Sequence, residues 1–478
     1  MPPMSGLAER SGGQAGLAGL ALILALGLGL RLHEAWDGRE PVFDAAAYAQ
    51  IAANLERGEG FSLGAGATQP ASNYSPGLPL LVAGAYELTG GVHERAARLI
   101  LALLGTLSVL FAYLVAHRIR RSMHRPHSGV SDASSAVAGL VAAGVVAIYP
   151  ALLEYQGMLM GEPLAAALLS GAVLAVLWAS GPRQADLARG SCRGAGGPAG
   201  SPRAVLDPPA PRHPRVRWVL PGLLLGALAL VRPEYLSIAL LVSLVVLVKD
   251  GRDGWPAALV SSAVLLAGVA IVVAPWTVRN AIALDRFVPI STGGGQVLFA
   301  GTYLPSDSDP EKVGAEVVER HPELFGPRAA QRLRLEQILA RLAAQRYPDM
   351  DTDEALARMG REQLWGDISD EPLEYAGFVA TKVGRIWSHG PRNVMRQPGW
   401  ELLHWALVAL GLLGLSVLAA QRRWEALLLA AIFLAITALS ALLVASPRRV
   451  LVMIPLVAAL AGVGMAATAS LRRQRSES

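Results

Sequence analysis

Asp44 sits in the segment Pro41-Val42-Phe43-Asp44-Ala45-Ala46-Ala47-Tyr48, and Tyr48, Ile51 and Leu55 continue it as one apolar helical stripe that Gly58 and Gly60 close. An aspartate placed there can cap a helix lying on a membrane surface. It can also act as a general base that takes a proton from a hydroxyl. Arg232-Pro233-Glu234 and Ser446-Pro447-Arg448-Arg449 carry guanidinium forks that match phosphate oxygens. Their competing role is snorkelling to headgroups or, for Arg232, pairing with Glu234. Glu162, in Gly161-Glu162-Pro163, is either a second acid or the cap of the helix after it. In Pro275-Trp276-Thr277-Val278-Arg279-Asn280, Arg279 and Asn280 could contact a headgroup or sugar beside an interfacial tryptophan.

Other segments offer less chemistry. Ser291-Thr292-Gly293-Gly294-Gly295-Gln296 lacks the lysine of a phosphate-binding loop and reads as a turn. Asp349, Asp351 and Asp353 alternate, but no glycine and glutamate follow at calcium-loop spacing, so they read as a solvated acidic turn. Lys382, Arg385, Trp387 and His389 suit a basic amphipathic helix on the surface. The single cysteine, Cys192, excludes a disulfide framework and a cysteine-built metal site.

The elements that must position these residues are membrane spans. Of 478 residues, 53% are hydrophobic and 17% charged, too few charges for a soluble protein, where about 25% is usual. The formal net charge of +5 could suit nucleic acid. The arginines lie instead in short loops beside apolar runs, which indicates membrane topology and no nucleic-acid partner. Apolar runs at 15–32, 95–117, 135–151, 163–180, 218–231, 235–248, 255–275, 402–420, 425–445 and 450–470 predict ten spans. The first has no small-residue cleavage site and is expected to be retained. The stretch 76–90 opens with Pro-Gly-Leu-Pro and is short. Placing it in the interface puts the basic clusters at 118–125, 181–217, 249–252, 422–423 and 472–475 on one side, with Arg232 and Arg448-Arg449 the exceptions on the outer side, so it is predicted to be a juxtamembrane helix with both termini cytoplasmic.

The fold class expected is therefore an all-α polytopic membrane protein. Residues 1–280 form an N-terminal transmembrane module that includes a first outer loop, 33–94, and a disordered Pro-, Gly- and Arg-rich cytoplasmic linker, 181–217. Residues 281–400, with helical periodicity over 329–339, form a small extracytoplasmic helical domain; 401–478 hold the last spans and a basic tail. The spans carry almost no ionisable groups, His404 being the main exception, whereas ion-coupled transporters bury such groups at mid-membrane. Chemistry is thus expected at the outer interface, on the extracytoplasmic side of the cell (inner or plasma) membrane.

Taken in order, these pieces resemble the GT-C membrane glycosyltransferases, in the polyprenyl-phosphate-sugar-dependent branch that includes protein O-mannosyltransferases and aminoarabinose transferases. The resemblance runs through Asp44 with Tyr48, Gly60-Phe61-Ser62, Ser75-Pro76-Gly77-Leu78-Pro79-Leu80 and Ala97-Arg98-Leu99 with Leu104-Gly105-Thr106-Leu107. It continues in Gly161-Glu162-Pro163-Leu164, Gly226 to Glu234, and Pro275 to Asn280. It implies a GT-C-like bundle, a catalytic acid at Asp44 and a further acid at Glu162. Some relatives carry a basic residue where this chain has Ser75, which leaves Arg448, Arg449 and Arg232 as the phosphate-binding cations. The implied partners are a polyprenyl-phosphate-linked sugar donor, an extracytoplasmic acceptor (protein, lipid or glycan) and membrane lipids. A polyprenyl phosphate leaves as a stabilised anion, so one carboxylate and an arginine clamp suffice for inverting single displacement. No cofactor or metal is required, and a divalent cation is compatible. The rival functions are a lipid-linked sugar flippase and a non-catalytic membrane subunit.

Overall fold

The computed structural model describes residues 5–64, 70–123, 132–181, 215–252, 254–306, 309, 312–326, 329–388 and 393–477. Most of the linker predicted at 181–217, with Cys192, and His389 lie outside the described residues. Ten helices make up the N-terminal part of what is described: α1 (Ser5–Trp36), α2 (Asp44–Glu56), α3 (Gly77–Thr89), α4 (Glu94–Ser122), α5 (Asp132–Ile148), α6 (Pro150–Gln156), α7 (Glu162–Ala179), α8 (Val219–Val231), α9 (Leu236–Gly251) and α10 (Trp255–Leu284). Then come α11 (Gly294–Thr302), α12 (Val313–Arg320), α13 (Ala329–Arg332), α14 (Leu335–Arg346), α15 (Thr352–Asp370) and α16 (Pro372–Ser388). The chain returns through α17 (Pro398–Ala420), α18 (Trp424–Leu442) and α19 (Arg448–Glu477).

This is an all-helical, multi-pass membrane protein. Among the described residues, seven helices are long and apolar enough to cross a bilayer, or eight if α5 and α6, bent by 51°, count as one span. The ten spans predicted from sequence are not reached, because α8 and α9 have only 13 and 16 residues. Pro233 is the reason for that break. A residue before proline is pushed out of the helical region, and Arg232 accordingly lies at φ −143° and ψ 101°. At 13 residues α3 is about 20 Å long, short of the roughly 30 Å hydrocarbon thickness, so it is no span by itself.

The bend between α5 and α6 corrects one reading of the spans. Pro150 has no N–H to give, which deprives the carbonyl of Val146 of its helical donor. Arg31, buried inside the first span, supplies the missing bonds: its guanidinium donates to the carbonyls of Val146 at 3.0 Å, Ala147 at 3.2 Å and Gly27 at 3.0 Å. The spans thus hold a buried arginine besides His404. His404 itself is fully bonded, with Nδ1 2.9 Å from the Tyr149 hydroxyl and Nε2 2.9 Å from the Trp387 carbonyl. A carbonyl can only accept, so Nε2 carries the proton and Nδ1 accepts from the tyrosine.

α7 and α19 are the innermost helices, buried along most of their length against α4, α5 and α17. With lipid as solvent, such packing depends on close backbone approach through small residues. A Cβ at Gly414 of α17 would overlap the carbonyl of Leu460 on α19, so only glycine fits there.

Residues 299–359 build a separate apolar core from Phe299, Val313, Val317, Ile338, Leu339 and Leu356, among others. The helix expected across 329–339 is interrupted, because the Gln337 side chain takes the N–H of Arg334 at 3.0 Å and caps a new helix. The acidic turn is not merely solvated. Asp353 accepts from the Gly295 N–H at 2.8 Å and so caps α11, while Asp351 pairs with Arg286 at 3.0 Å.

Lys382 is a second correction, for it is buried instead of lying on the surface, and its Nζ donates to the carbonyl of Gly301 at 2.6 Å. Gly301 in turn lies so close to the backbone of Leu442 and Leu443 that a Cβ would overlap it. This contact seats the small domain on the loop that leads to Arg448. Burial, and to a lesser degree the charge of Arg449, lowers the Lys382 ammonium from 10.5 to about 7. The unfolded chain keeps that proton up to the ordinary lysine range. Between those limits it therefore binds more protons than the folded chain, and raising the pH stabilises the fold. Thermal unfolding in detergent should show stability rising from about pH 7 to about pH 10, and Lys382→Met should flatten that rise.

Candidate active site

Asp44 is the first residue of α2, not its cap. Phe43 occupies the cap position at φ 52° and ψ −124°, and no side chain caps this helix. The helix is held by its inner face, on which Ala45, Ala49, Ile51 and Ala52 are buried. Its carboxylate is therefore available, and Oδ2 lies 3.3 Å from Nη1 of Arg448. Glu162 likewise opens α7 without capping it. Its fully buried carboxylate receives Nη2 of Arg232 at 2.7 Å.

The chain break at Arg232-Pro233 and the first turn of α19 bring the remaining groups to the same place. Glu234 Oε1 is shared by Arg232 Nη1 at 3.5 Å and Arg449 Nε at 3.4 Å, and Arg449 also donates to the carbonyl of Val444. Three carboxylates and three guanidinium groups gather at one end of the bundle as an ionic cluster: a chain of pairs, Glu162–Arg232–Glu234–Arg449, and beside it the pair Asp44–Arg448, whose guanidinium feels the charges of Glu162 and Arg232. Burial alone would lower Arg232, but Glu162 and Glu234 reverse this and hold it above its usual range. Burial would raise Glu234, and Arg232 and Arg449 overcome it, keeping its carboxyl below the usual range. Tyr48 borders the cluster: burial pushes its hydroxyl up, and it feels the charges of Arg232, Asp44 and Glu162. Its ring meets Tyr74 edge-on at 5.7 Å.

Arg279 and Asn280 are not drawn into this cluster. Arg279 lies 4.9 Å from the Trp276 ring and 5.6 Å from Phe61, while Asn280 Nδ2 donates to the carbonyls of Val288 and Ile290 at 3.1 and 2.9 Å. Trp276 Nε1 also donates to Ile290, at 2.8 Å, so this segment fastens the chain leaving α10. One contributor to the cluster escaped the sequence reading, as did the burial of Lys382 outside it. Glu234 was visible only as a partner for Arg232, and nothing local indicated Arg449 as its second contact. Lys382 carried a usable signal, since it falls in helical register with Tyr375, Phe378 and Ile386, all of which are buried. No group of three or more His, Cys, Asp or Glu side chains suited to a metal occurs among the described residues.

An arrangement of this kind can hold an anionic group against guanidinium charge with a half-exposed carboxylate beside it. The fold that carries it is GT-C-like. Over 95% of this chain and 50% of the other, it is similar to the oligosaccharyltransferase AglB of Archaeoglobus fulgidus in complex with an inhibitory peptide and a dolichol-phosphate, at 15% identity and a TM-score of 0.53. The apo form of the Archaeoglobus fulgidus enzyme matches similarly, with a TM-score of 0.52 at 15% identity over 95% of this chain and 50% of that one. This chain thus spans about half the length of those proteins. ArnT from Cupriavidus metallidurans matches at 16% identity and a TM-score of 0.38, covering 94% of this chain and 78% of the other. No protein-family model matches the sequence, and no curated protein matches it.

Proposed function

We propose that this protein is a membrane glycosyltransferase that moves a sugar from a polyprenyl-phosphate donor to an extracytoplasmic acceptor by inverting single displacement. The observation that carries this reading is the meeting of Asp44 with Arg448, beside Arg232 and Arg449, at one end of the bundle. The fold it shares with AglB, a protein solved with a dolichol-phosphate and a peptide bound, supports it.

In the reaction the acceptor O–H gives its proton to the Asp44 carboxylate. The oxygen lone pair forms the new bond to the anomeric carbon. The bond from that carbon to the phosphate oxygen breaks, and its electron pair leaves with the polyprenyl phosphate. Arg448 and Arg449 stabilise the charge that grows on the leaving oxygen. A buried Glu162 locked to Arg232 serves as framework, and Asp44 alone is exposed enough to meet an acceptor. This route requires no resident metal.

The test is transfer of a radiolabelled sugar from a synthetic polyprenyl-phosphate glycoside by the purified protein in proteoliposomes, with lipid, peptide and glycan acceptors. Labelled product with inverted anomeric configuration supports the reading. Movement of intact donor between leaflets without product would replace it by transport.

A further inference from the structure

Every guanidinium in the ionic cluster already has an acceptor. Arg232 is held by Glu162 and Glu234, Arg449 by Glu234 and the Val444 carbonyl, and Arg448 by Asp44. Three positive charges face three negative ones, and Asp44 holds Arg448 through Nη1 alone, so an arriving phosphate competes with that carboxylate for the guanidinium charge.

The pairs differ in how readily they yield. Separating Arg232 from Glu162 would strand a carboxylate with 0% exposure after breaking a 2.7 Å contact. Arg449 is 9% exposed and also committed to a backbone carbonyl that cannot swing away. Arg448 and Asp44 are 42% and 51% exposed and stand 3.3 Å apart, so water can replace either partner for the other. Both are the first residues of their helices, so their side chains can separate without moving α2 or α19.

We propose that donor binding works by ion-pair exchange: the donor phosphate takes Arg448 from Asp44, and the same event frees the Asp44 carboxylate to accept the acceptor's proton. The donor must then bind before an acceptor can be activated. This rests on the glycosyl-transfer reading above, with Asp44 as its base. Until the phosphate arrives, the carboxylate stays engaged with a guanidinium, and the base is released only where there is a sugar to transfer.

A double-mutant cycle tests the exchange, with undecaprenyl phosphate as the probe and binding measured to the full chain in lipid nanodiscs. Arg448→Gln should weaken binding about tenfold or more. Asp44→Asn should tighten it about two- to fivefold, because a neutral amide competes for Arg448 more weakly than a carboxylate does. In the Arg448→Gln background, Asp44→Asn should bring no gain. A gain that persists without Arg448 would mean simple repulsion between carboxylate and phosphate, and would overturn the exchange. So would an affinity that Asp44→Asn leaves unchanged. If Arg448→Gln fails to fold, Arg448→Lys takes its place, and there the gain must shrink; an undiminished gain overturns the proposal. A wild-type protein that does not bind undecaprenyl phosphate overturns the donor reading itself, and the exchange with it.

Discussion

Asp44→Asn should reduce sugar transfer by a factor of about 10² to 10⁴, the usual contribution of a positioned general base. Asparagine keeps the shape of the side chain and its ability to accept a hydrogen bond from Arg448, but it cannot take a proton at neutral pH. The fold should survive the change. Asp44 is 51% exposed, and an ion pair in that setting contributes at most about 1 kcal/mol. Transfer assays, paired with thermal unfolding and size-exclusion profiles in detergent, separate loss of chemistry from loss of structure. Turnover at the wild-type rate by a folded Asp44→Asn protein would remove Asp44 from the mechanism. Glu162 offers no substitute as base, because its carboxylate is fully buried against Arg232.

Arg232→Met should have the largest effect on stability, a loss of about 3–5 kcal/mol. Its removal strips the fully buried Glu162 carboxyl of its partner at 2.7 Å. Glu234 suffers less, since Arg449 still reaches it at 3.4 Å. The double variant Arg232→Met with Glu162→Met should recover much of the lost stability, because a buried pair replaced by apolar groups costs far less than a broken one. It should not recover transfer, because it removes a cation from the cluster. Unfolding temperatures of the single and double variants in the same detergent decide the matter. A single variant as stable as the wild type would show that the pair carries no such role.

The arginines were legible as candidates because they defy the usual side preference of basic loop residues, and Asp44 because it precedes an apolar stripe. Their partners were not legible in the same way. Glu162 and Glu234 could each be explained by something adjacent in sequence, a helix to cap or an arginine two residues away. The decisive contacts link residues 70 and 215 positions apart, which no local pattern reports. Arg31 and Lys382 illustrate the same limit from the other direction. Lys382 reads as a surface residue and Arg31 as nothing in particular, yet each is buried with its charged group on backbone carbonyls distant in sequence.

By itself the sequence determined that this is a helical membrane protein, which segments are apolar enough to lie in lipid, and which few residues carry charge at their ends. Those properties follow from hydropathy and short-range periodicity, and each can be read within a window of about 20 residues. Only the tertiary structure decided that Asp44 faces Arg448, that Glu162 is sealed beneath Arg232, that Asn280 holds the chain at Val288 and Ile290, and that Arg279 lies against Trp276 and Phe61. The physical reason is that helix packing, through close glycine contacts and buried ion pairs, sets which helix ends coincide, and that is a property of the whole bundle.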